Sequence, residues 1–255
     1  MLDKNSPIAV IDSGVGGISV LRELIKLMPY ENYIYFGDNI NAPYGTKSEN
    51  EVKEIMYKNA QMLLGFGAKA IVIACNTATG ASVKELREKY LNFPIIGIEP
   101  AIKLSAEYEE NSNVLVMATP LTLKQDKLNN LIDRFSKKAN FITLPCPGLM
   151  ELIEEGKLDG DELEAFLKKL FSDLKTIKFD SVVLGCTHYS HIKDTIKKIL
   201  GNDIKVFDGC EGTAKETKRR LTEIDMINDS NTKGYLKILS SKDSISELSL
   251  ALLKR

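Results

Sequence analysis

The chain has 255 residues, of which 44% are hydrophobic, and is long enough to bury one large core or two smaller ones. Lysine and arginine together number 34 against 35 for aspartate and glutamate, so the chain lacks the basic excess of a nucleic-acid-binding or membrane-surface protein. We therefore expect a small-molecule partner, with no nucleic acid and no membrane.

Short apolar or β-branched runs alternate along the chain with longer segments of helical period. The predicted strands are Ile8–Ile11, Tyr33–Phe36, Ala70–Ala74, Val114–Met117, Phe141–Leu144, Ser181–Leu184, Ile204–Phe207 and Tyr235–Leu239. Among the segments between them, Ser19–Leu27 is predicted to be helical, and Glu51–Gly65 and Asp161–Leu174 carry apolar residues every three or four positions, as surface helices do. The alternation predicts an α/β fold with parallel sheets.

A weak internal repeat is visible in the sequence. Ile71–Thr77 and Val182–His188 are each an apolar strand that ends in a small residue and a cysteine, with polar residues before the next helix. The strand-turns Ile8–Asp12 and Val114–Thr119 also match each other, at similar distances upstream. The repeat predicts two pseudo-symmetric lobes, each a mostly parallel sheet flanked by helices, with the active site in the cleft between them.

The chain is predicted to cross between these lobes near Glu99-Pro100 and again near Asp208-Gly209. The first lobe then consists of residues 1–98 plus 209–255, and the second of residues 99–208. The C-terminal segment is thus expected to complete the first lobe.

Two cysteines, Cys75 and Cys186, follow the repeated strands. Ligands of parallel α/β sheets collect at the carboxyl ends of the strands, where helix N-termini favour anions and lower the pKa of a thiol. A single cysteine after an apolar strand is usually a small core residue, but the same arrangement on two corresponding turns favours a functional pair. The neighbouring side chains that could cap the next helix or hold a substrate carboxylate are Asn76, Thr77, Thr187 and His188.

Two glycine-bearing turns are also candidates for the site. The turn Asp12–Gly17 has neither the G-x-G-x-x-G spacing nor a Gly-Lys-Ser/Thr end, so it does not favour a dinucleotide or P-loop site. Asp12 could orient or relay a proton, or cap the following helix. The turn Gly37–Thr46 is longer than a simple connection requires and is expected to be a lid or a ligand clamp.

The remaining cysteines and the two histidines suggest no metal site. Cys146 and Cys210 form no C-x-x-C pair with the others, and His188 and His191 lie together, so neither a zinc cluster nor a thioredoxin motif is present in the sequence. The apolar run Ile8–Ile11 is too short for a signal peptide, and no later stretch is long enough to span a bilayer. We expect a cytoplasmic protein with free thiols.

Together these segments resemble the glutamate racemases, a branch of the aspartate/glutamate racemase superfamily. The two cysteine strings fit several superfamily members, whereas the Asp-Ser-Gly-Val-Gly-Gly and Pro-Tyr-Gly turns are more specific to glutamate. The matching strings run in family order through most of the chain and are Asp12–Gly17, Tyr35–Asp38, Pro43–Ser48, Ala74–Ala78, Gly97–Pro100 and Leu184–Tyr189.

The resemblance implies roles for individual residues. Cys75 and Cys186 would be the acid/base thiols, with Asp12, His188 and Glu154 as supporting groups. Cys146 and Cys210 receive no role, and neither pyridoxal phosphate nor a metal is implied. The positions that would line the substrate site are Ser13, Pro43, Tyr44, Gly45, Asn76, Thr77, Thr119 and Thr187.

Four stretches depart from the usual family sequence, and they leave the substrate breadth open. None of them removes a proposed catalytic group, so the differences are expected in the lid and the far side of the pocket. The departing stretches are Asn39–Ala42, Thr79-Gly80, Pro120-Leu121 and Ser190-His191.

The expected function is therefore interconversion of L- and D-glutamate, which would supply D-glutamate for bacterial peptidoglycan. The family pattern suggests that Cys75 deprotonates D-glutamate and Cys186 L-glutamate. The alternatives are a racemase of aspartate or of several amino acids, and an amino-acid-binding protein without turnover. A thiol hydrolase is disfavoured, because its cysteine and base need only one face of the substrate. Assembly as a homodimer is left open.

Overall fold

A computed structural model of the chain describes residues 2–242 and 247–255. In these ranges the strands are β1 (Ile8–Asp12), β2 (Tyr33–Gly37), β3 (Ala70–Ile73), β4 (Ile95–Gly97), β5 (Ser112–Ala118), β6 (Ala139–Pro145), β7 (Ser181–Leu184), β8 (Lys205–Asp208) and β9 (Leu236–Ser240).

The helices lie mainly between the strands. They are α1 (Ile18–Leu27), α2 (Glu49–Gly65), α3 (Asn76–Lys89), α4 (Ile102–Tyr108), α5 (Pro120–Lys124), α6 (Asp126–Phe135), α7 (Leu149–Glu154), α8 (Asp161–Leu170), α9 (Lys193–Leu200), α10 (Cys210–Glu223) and α11 (Glu247–Leu253). Short 3-10 helices cover Tyr44–Thr46, Ser172–Leu174 and Thr187–Ile192.

The strands form two sheets, in the orders β4-β3-β1-β2-β9 and β6-β5-β7-β8, and every strand pairing is parallel. Without the edge strand β9, the first sheet read from its other edge is β2-β1-β3-β4. This order corresponds strand for strand to β6-β5-β7-β8. The predicted pair of pseudo-symmetric α/β lobes is therefore confirmed.

Burial on both faces explains why the central strands have continuous apolar sequences. All five residues of β1 are buried, as expected for a parallel strand that carries helices on both faces. Ile8 and Val10 belong to a core cluster that includes residues of α1. Ala9 and Ile11 belong to another that includes residues of α2 and α3. The alternation of strand side chains thus joins two helix layers to one sheet.

Several boundaries differ from the sequence-based predictions. β4 was not predicted, because it has only three residues and follows Pro94 at the edge of the sheet. The helix predicted over Asp161–Leu174 ends at Leu170 and continues as a 3-10 turn. α2 begins two residues earlier than predicted, at Glu49, because Ser48 forms a capping box with Glu51.

The C-terminal segment adds β9 to the first sheet, beside β2. Buried Leu252 of α11 belongs to the same core cluster as α1. The exact boundaries of the two lobes, at residues 98–99 and 208–209, stay a prediction. In the described part of the chain, no helix combines the length and apolar character that crossing a membrane requires.

A buried ion pair lies near the amino ends of the strands of the first sheet. Lys69 Nζ lies 2.6 Å from Glu31 Oε2, and the two side chains are 0% and 2% exposed. Lys69 Nζ also donates to the carbonyl of Lys4, and Glu31 Oε1 accepts from the backbone N–H of Asn228. Burial lowers the pKa of Lys69, whereas its hydrogen bond to Glu31 acts in the opposite direction. The pair ties the start of the chain, the α1–β2 connection and the C-terminal segment to β3.

We expect Glu31→Gln to reduce the free energy of unfolding by about 3 kcal/mol, because it leaves the buried Lys69 ammonium without its counter-charge. Equilibrium urea denaturation measures the loss. The matched control is Glu23→Gln, which removes the surface pair with Lys26 and should change the free energy by less than about 1 kcal/mol. Equal effects of the two substitutions would contradict a structural role for the buried pair.

Candidate active site

One small cavity is lined by residues that follow the carboxyl ends of strands from both sheets. Ser13 follows β1 and Cys75 follows β3 in the first sheet, while Thr119 follows β5 and Cys186 follows β7 in the second. This is the position in which parallel α/β sheets bind ligands. The cavity has a volume of about 30 Å³, close to the space of one or two water molecules.

Most of the predicted site residues line this cavity. They are Ser13, Pro43, Tyr44, Gly45, Cys75, Asn76, Thr77, Thr119, Cys186 and His188. The other three, Asp12, Glu154 and Thr187, lie behind the lining and are hydrogen-bonded to one another or to His188. The structure thus brings the whole predicted set together.

The sequence analysis missed part of the lining. The additional residues are Thr46, Pro120, Cys146, Pro147, Gly148, Met150 and Glu151. Cys146, which received no role, lies directly after β6. The predicted strand Phe141–Leu144 already ended there, so the rule that ligands collect at carboxyl ends could have identified it.

Cys75 is the N-cap of α3 and is only 7% exposed. Its sulfur accepts a hydrogen bond from the backbone N–H of Ala78 at 3.5 Å and lies 3.9 Å from Ser13 Oγ. Burial, followed by the nearby Asp12 carboxyl group, raises the pKa of the Cys75 thiol. The N–H of Ala78 at the helix N-terminus lowers this pKa, as expected, but removal from water outweighs it, so the net shift is upward.

Cys186 occupies the corresponding position after β7, but its surroundings differ. The segment after it is the 3-10 helix Thr187–Ile192, whose N-cap is Cys186 without a side-chain bond, and α9 begins after Ile192, so the alternative that Thr187 or His188 caps the next helix is wrong. Its sulfur lies 3.7 Å from Nδ1 of His188 instead. The two thiols therefore have different partners: Cys75 has helix N–H groups and a hydroxyl, and Cys186 has an imidazole.

The buried ring of His188 and the partly buried carboxylate of Glu154 form a pair beside Cys186. His188 Nε2 lies 2.7 Å from Glu154 Oε1, which also accepts the backbone N–H of Val15 at 2.6 Å. Burial opposes the charged imidazole, but its hydrogen bonds to Cys186 and Glu154 raise the pKa of His188 well above the ordinary 6.5. Burial likewise opposes the Glu154 carboxylate, yet the His188 hydrogen bond and charge lower the pKa of Glu154 overall. These contacts favour the protonated form of the ring next to the sulfur.

Asp12 links the two sheets behind the cavity. Its Oδ1 accepts the backbone N–H of Gly14 at 2.9 Å, and its Oδ2 accepts the hydroxyl of Thr187 at 3.1 Å. Burial raises the pKa of Asp12. The N-cap of α1 is Gly17, so the alternative that Asp12 caps this helix is wrong.

Two glycines of the first turn let its backbone approach the charged pair. A Cβ at Gly14 would lie 1.9 Å from Glu154 Oε1, and one at Gly16 would lie 2.3 Å from His188 Nδ1. Any other residue would push the pair away from the turn. This is the structural reason for glycine at these two positions of Asp12–Gly17.

The long turn Gly37–Thr46 is fixed over the cavity by a buried aspartate. Asp38 Oδ2 accepts the hydroxyl of Tyr44 at 2.6 Å and the amide of Asn59 at 3.0 Å, and both Asp38 oxygens accept from Asn41. The peptide bond between Ala42 and Pro43 is cis. These contacts hold Pro43–Gly45 against the cavity.

Polar side chains that follow strands of both sheets line the cavity together with the two thiols. The hydroxyl oxygens of Thr77 and Thr119 lie 3.0 Å apart and connect the first sheet to the second. Asn76 Oδ1 is buried without a hydrogen-bond partner among the described residues. Because an unpaired buried acceptor is unfavourable, Asn76 is suited to accept from a polar ligand such as an ammonium group.

Comparison with known proteins gives consistent matches along the chain. Residues 8–217 match the model of the Asp/Glu/hydantoin racemase family. The chain is 47% identical over 252 residues to a glutamate racemase of Clostridium acetobutylicum, with 98% of each chain covered.

Solved structures of similar fold include two that contain glutamate. One is glutamate racemase of Francisella tularensis in complex with D-glutamate, with a TM-score of 0.86 and 29% identity over 99% of this chain and 95% of that one. Another is the Escherichia coli glutamate racemase in complex with L-glutamate and the activator UDP-MurNAc-Ala, with a TM-score of 0.82 and 30% identity over 97% and 92% of the two chains.

The two histidines of the chain should titrate far apart. We expect the ring of His188 to stay protonated well above pH 6.5, whereas burial and the charge of His188 lower the pKa of His191 to about 4. NMR of the histidine rings measures both values. Glu154→Gln should lower the pKa of His188, because it removes the acceptor charge. Titration of both rings together near pH 6.5 would contradict the charged pair.

These shifts also fix the sign of the pH dependence of stability. The stabilisation from charged His188 is complete below about pH 6.5 and is lost as the pH rises through its raised pKa. The contribution of His191, which is neutral in the folded protein, to the free energy of unfolding is lost as the pH falls from 6.5 towards 4. Urea denaturation at several pH values checks the two contributions.

Proposed function

The chain belongs to the Asp/Glu/hydantoin racemase family and to its glutamate racemase branch, and we propose that it interconverts L- and D-glutamate with Cys75 and Cys186 as the two acid/base groups. One observation carries this proposal: the two thiols line a single cavity, and each comes from a different sheet. As a glutamate racemase, the protein is an isomerase.

Two groups are needed because racemisation inverts the configuration of the α-carbon. A base removes the proton from one face while an acid delivers a proton to the opposite face. A single residue would have to cross the substrate between the two steps. With one thiolate and one thiol, each turnover exchanges the protonation states of Cys75 and Cys186, and the reverse reaction restores them.

The α-proton of an amino acid is far less acidic than a thiol, so the developing carbanion needs stabilisation. Hydrogen-bond donors on the α-carboxylate provide it most effectively in a site from which water is excluded. We assign this role to Asn76 and Thr77, which line the cavity, whereas the Thr187 hydroxyl donates to Asp12 behind it. Neither pyridoxal phosphate nor a metal takes part in this scheme.

The supporting groups differ between the two thiols. His188 Nδ1 lies 3.7 Å from the Cys186 sulfur, and a protonated ring at this distance can stabilise a thiolate or return a proton. Asp12 is the charged group that most affects Cys75. The family resemblance assigns Cys186 as the base towards L-glutamate and Cys75 as the base towards D-glutamate, and we keep that assignment in this proposal.

Substrate entry requires motion in this scheme. The cavity of about 30 Å³ is far smaller than glutamate. We propose that the two lobes move apart to admit the substrate and close around it to exclude water. The boundaries at residues 98–99 and 208–209 are the crossings at which such a motion would occur.

We further propose that the protein acts in the cytoplasm and supplies D-glutamate for peptidoglycan. Its four cysteines are free and buried, which suits a reducing compartment. Glutamate is the proposed small-molecule partner. Assembly as a homodimer stays a prediction.

Substrate and reaction type are tested together in heavy water. We expect L-glutamate to lose optical rotation and gain deuterium at the α-carbon, and L-aspartate to react much more slowly. Polarimetry and NMR measure the two changes, and chelators should not inhibit. Inversion of aspartate alone would overturn the glutamate assignment, and binding of glutamate without exchange would show a binding protein instead.

Removal of either thiol should stop racemisation. We expect Cys75→Ala and Cys186→Ala each to reduce kcat/KM by about a thousandfold or more, because each variant lacks one general acid/base group. Cys210→Ala is the matched control, because Cys210 is another buried thiol but lies outside the cavity. This variant should retain the racemase activity of the wild type. Near-normal turnover by either active-site variant would exclude that cysteine from the mechanism.

A further inference from the structure

A chain of hydrogen bonds connects the C-terminal edge strand β9 with the Cys186 side of the cavity. Ser240 Oγ, at the end of β9, donates to Asn39 Oδ1 at 3.0 Å. Asn39 Nδ2 donates to Glu154 Oε2 at 3.3 Å. The other oxygen of Glu154 contacts Nε2 of His188, whose Nδ1 faces the sulfur of Cys186.

The geometry gives the Asn39 amide one defined orientation. Its oxygen accepts from a hydroxyl and its nitrogen donates to a carboxylate, so both ends have a partner of the correct polarity. Glu154 is held equally completely, with Asn39 on Oε2 and the backbone N–H of Val15 on Oε1. A carboxylate fixed at both oxygens can meet the imidazole in only one position.

The position of Ser240 is set independently of the side chains in the cavity. β9 pairs with β2 in parallel up to Gly37, which lies opposite Ser240. One residue further on, the backbone N–H of Ser241 donates to the carbonyl of Gly37, and Ser241 Oγ accepts from the backbone N–H of Ile40. The backbone pairing of β9 with β2 therefore places the Ser240 hydroxyl next to Asn39.

We propose that Asn39 is a positioning residue for the Glu154–His188 pair, and that Ser240 of β9 sets the orientation of its amide. The inference rests on the proposed function and extends it, because it links the C-terminal segment to the protonation of one thiol. Asn39 itself lies in a stretch that departs from the usual family sequence.

The charged and titratable groups that face Glu154 are few. His188 lies in contact, while Asp12, Tyr35 and Lys242 interact with it electrostatically. A carboxylate at position 39 would add a like charge within about 3.3 Å of Glu154 and would raise its pKa.

The test uses the isosteric variant Asn39→Asp in the full chain. We expect kcat to fall about tenfold in both directions with little change in KM, the equivalent of one hydrogen bond to a charged group. The acid limb of the pH profile of kcat/KM should move to higher pH, because Glu154 takes up a proton more readily. Asn39→Ala and Ser240→Ala should move the acid limb of the pH profile in the same direction, but by a smaller amount than Asn39→Asp.

Ser241→Ala is the matched control, because it removes a neighbouring hydroxyl that contacts the same turn but neither Asn39 nor Glu154. Its kinetics and pH profile should equal those of the wild type. An unaltered pH profile in Asn39→Asp, or the same shift in Ser241→Ala, would overturn the proposal.

NMR of the histidine rings separates failure of this inference from failure of the proposed function. The His188 ring signals should move in Asn39→Asp and stay in place in Ser241→Ala, whether or not the wild type racemises glutamate. His191 provides an internal reference in the same spectra. An unchanged chemical shift of the His188 ring in Asn39→Asp would contradict the positioning role.

Discussion

The whole site depends on the placement of two thiols at the carboxyl ends of parallel strands in two separate sheets. Parallel strands present their carboxyl ends at one edge, and two sheets of corresponding strand order can present those edges to the same cavity. Cys75 and Cys186 therefore reach one space from two directions. A single sheet would place both sulfurs on the same side of a ligand, where only one face of a carbon is accessible.

The pseudo-symmetry of the backbone does not extend to the electrostatics. Cys75 is surrounded by helix N–H groups, Ser13 and the Asp12 carboxyl group, whereas Cys186 faces the buried imidazole of His188. Burial opposes the charged form of this ring, and its hydrogen bonds to Cys186 and then to Glu154 outweigh that penalty and raise the pKa of His188. The glycine turn between β1 and α1 packs against the pair, so the first lobe contributes directly to the environment of the thiol on the second. Through hydrogen bonds, Asn39 and Ser240 connect Glu154 to β9, the edge strand of the first sheet.

Much of this arrangement could be predicted from the sequence, because a buried parallel strand is a continuous apolar run and its end is marked by small and polar residues. The edge strand β4 was missed since three residues carry too little pattern. The 3-10 helix after Cys186 could not be distinguished from an α-helix, and the raised pKa of Cys75 depends on a degree of burial that no local pattern reveals.

The contacts behind the cavity were least accessible to sequence reasoning. Glu154 and His188 lie on different elements, and only the family resemblance brought them together. Asn39 and Ser240 are 201 residues apart, and neither periodicity nor spacing relates them.

The most direct measurement is a crystal structure of the chain with glutamate bound, in which the distances from the α-carbon to the two sulfurs are determined. The account predicts that the α-carbon lies between Cys75 Sγ and Cys186 Sγ, on a line from one sheet to the other, at about 3.5 Å from each. Both sulfurs on the same face of the bound amino acid, or one of them out of reach of the α-carbon in the closed state, would contradict it.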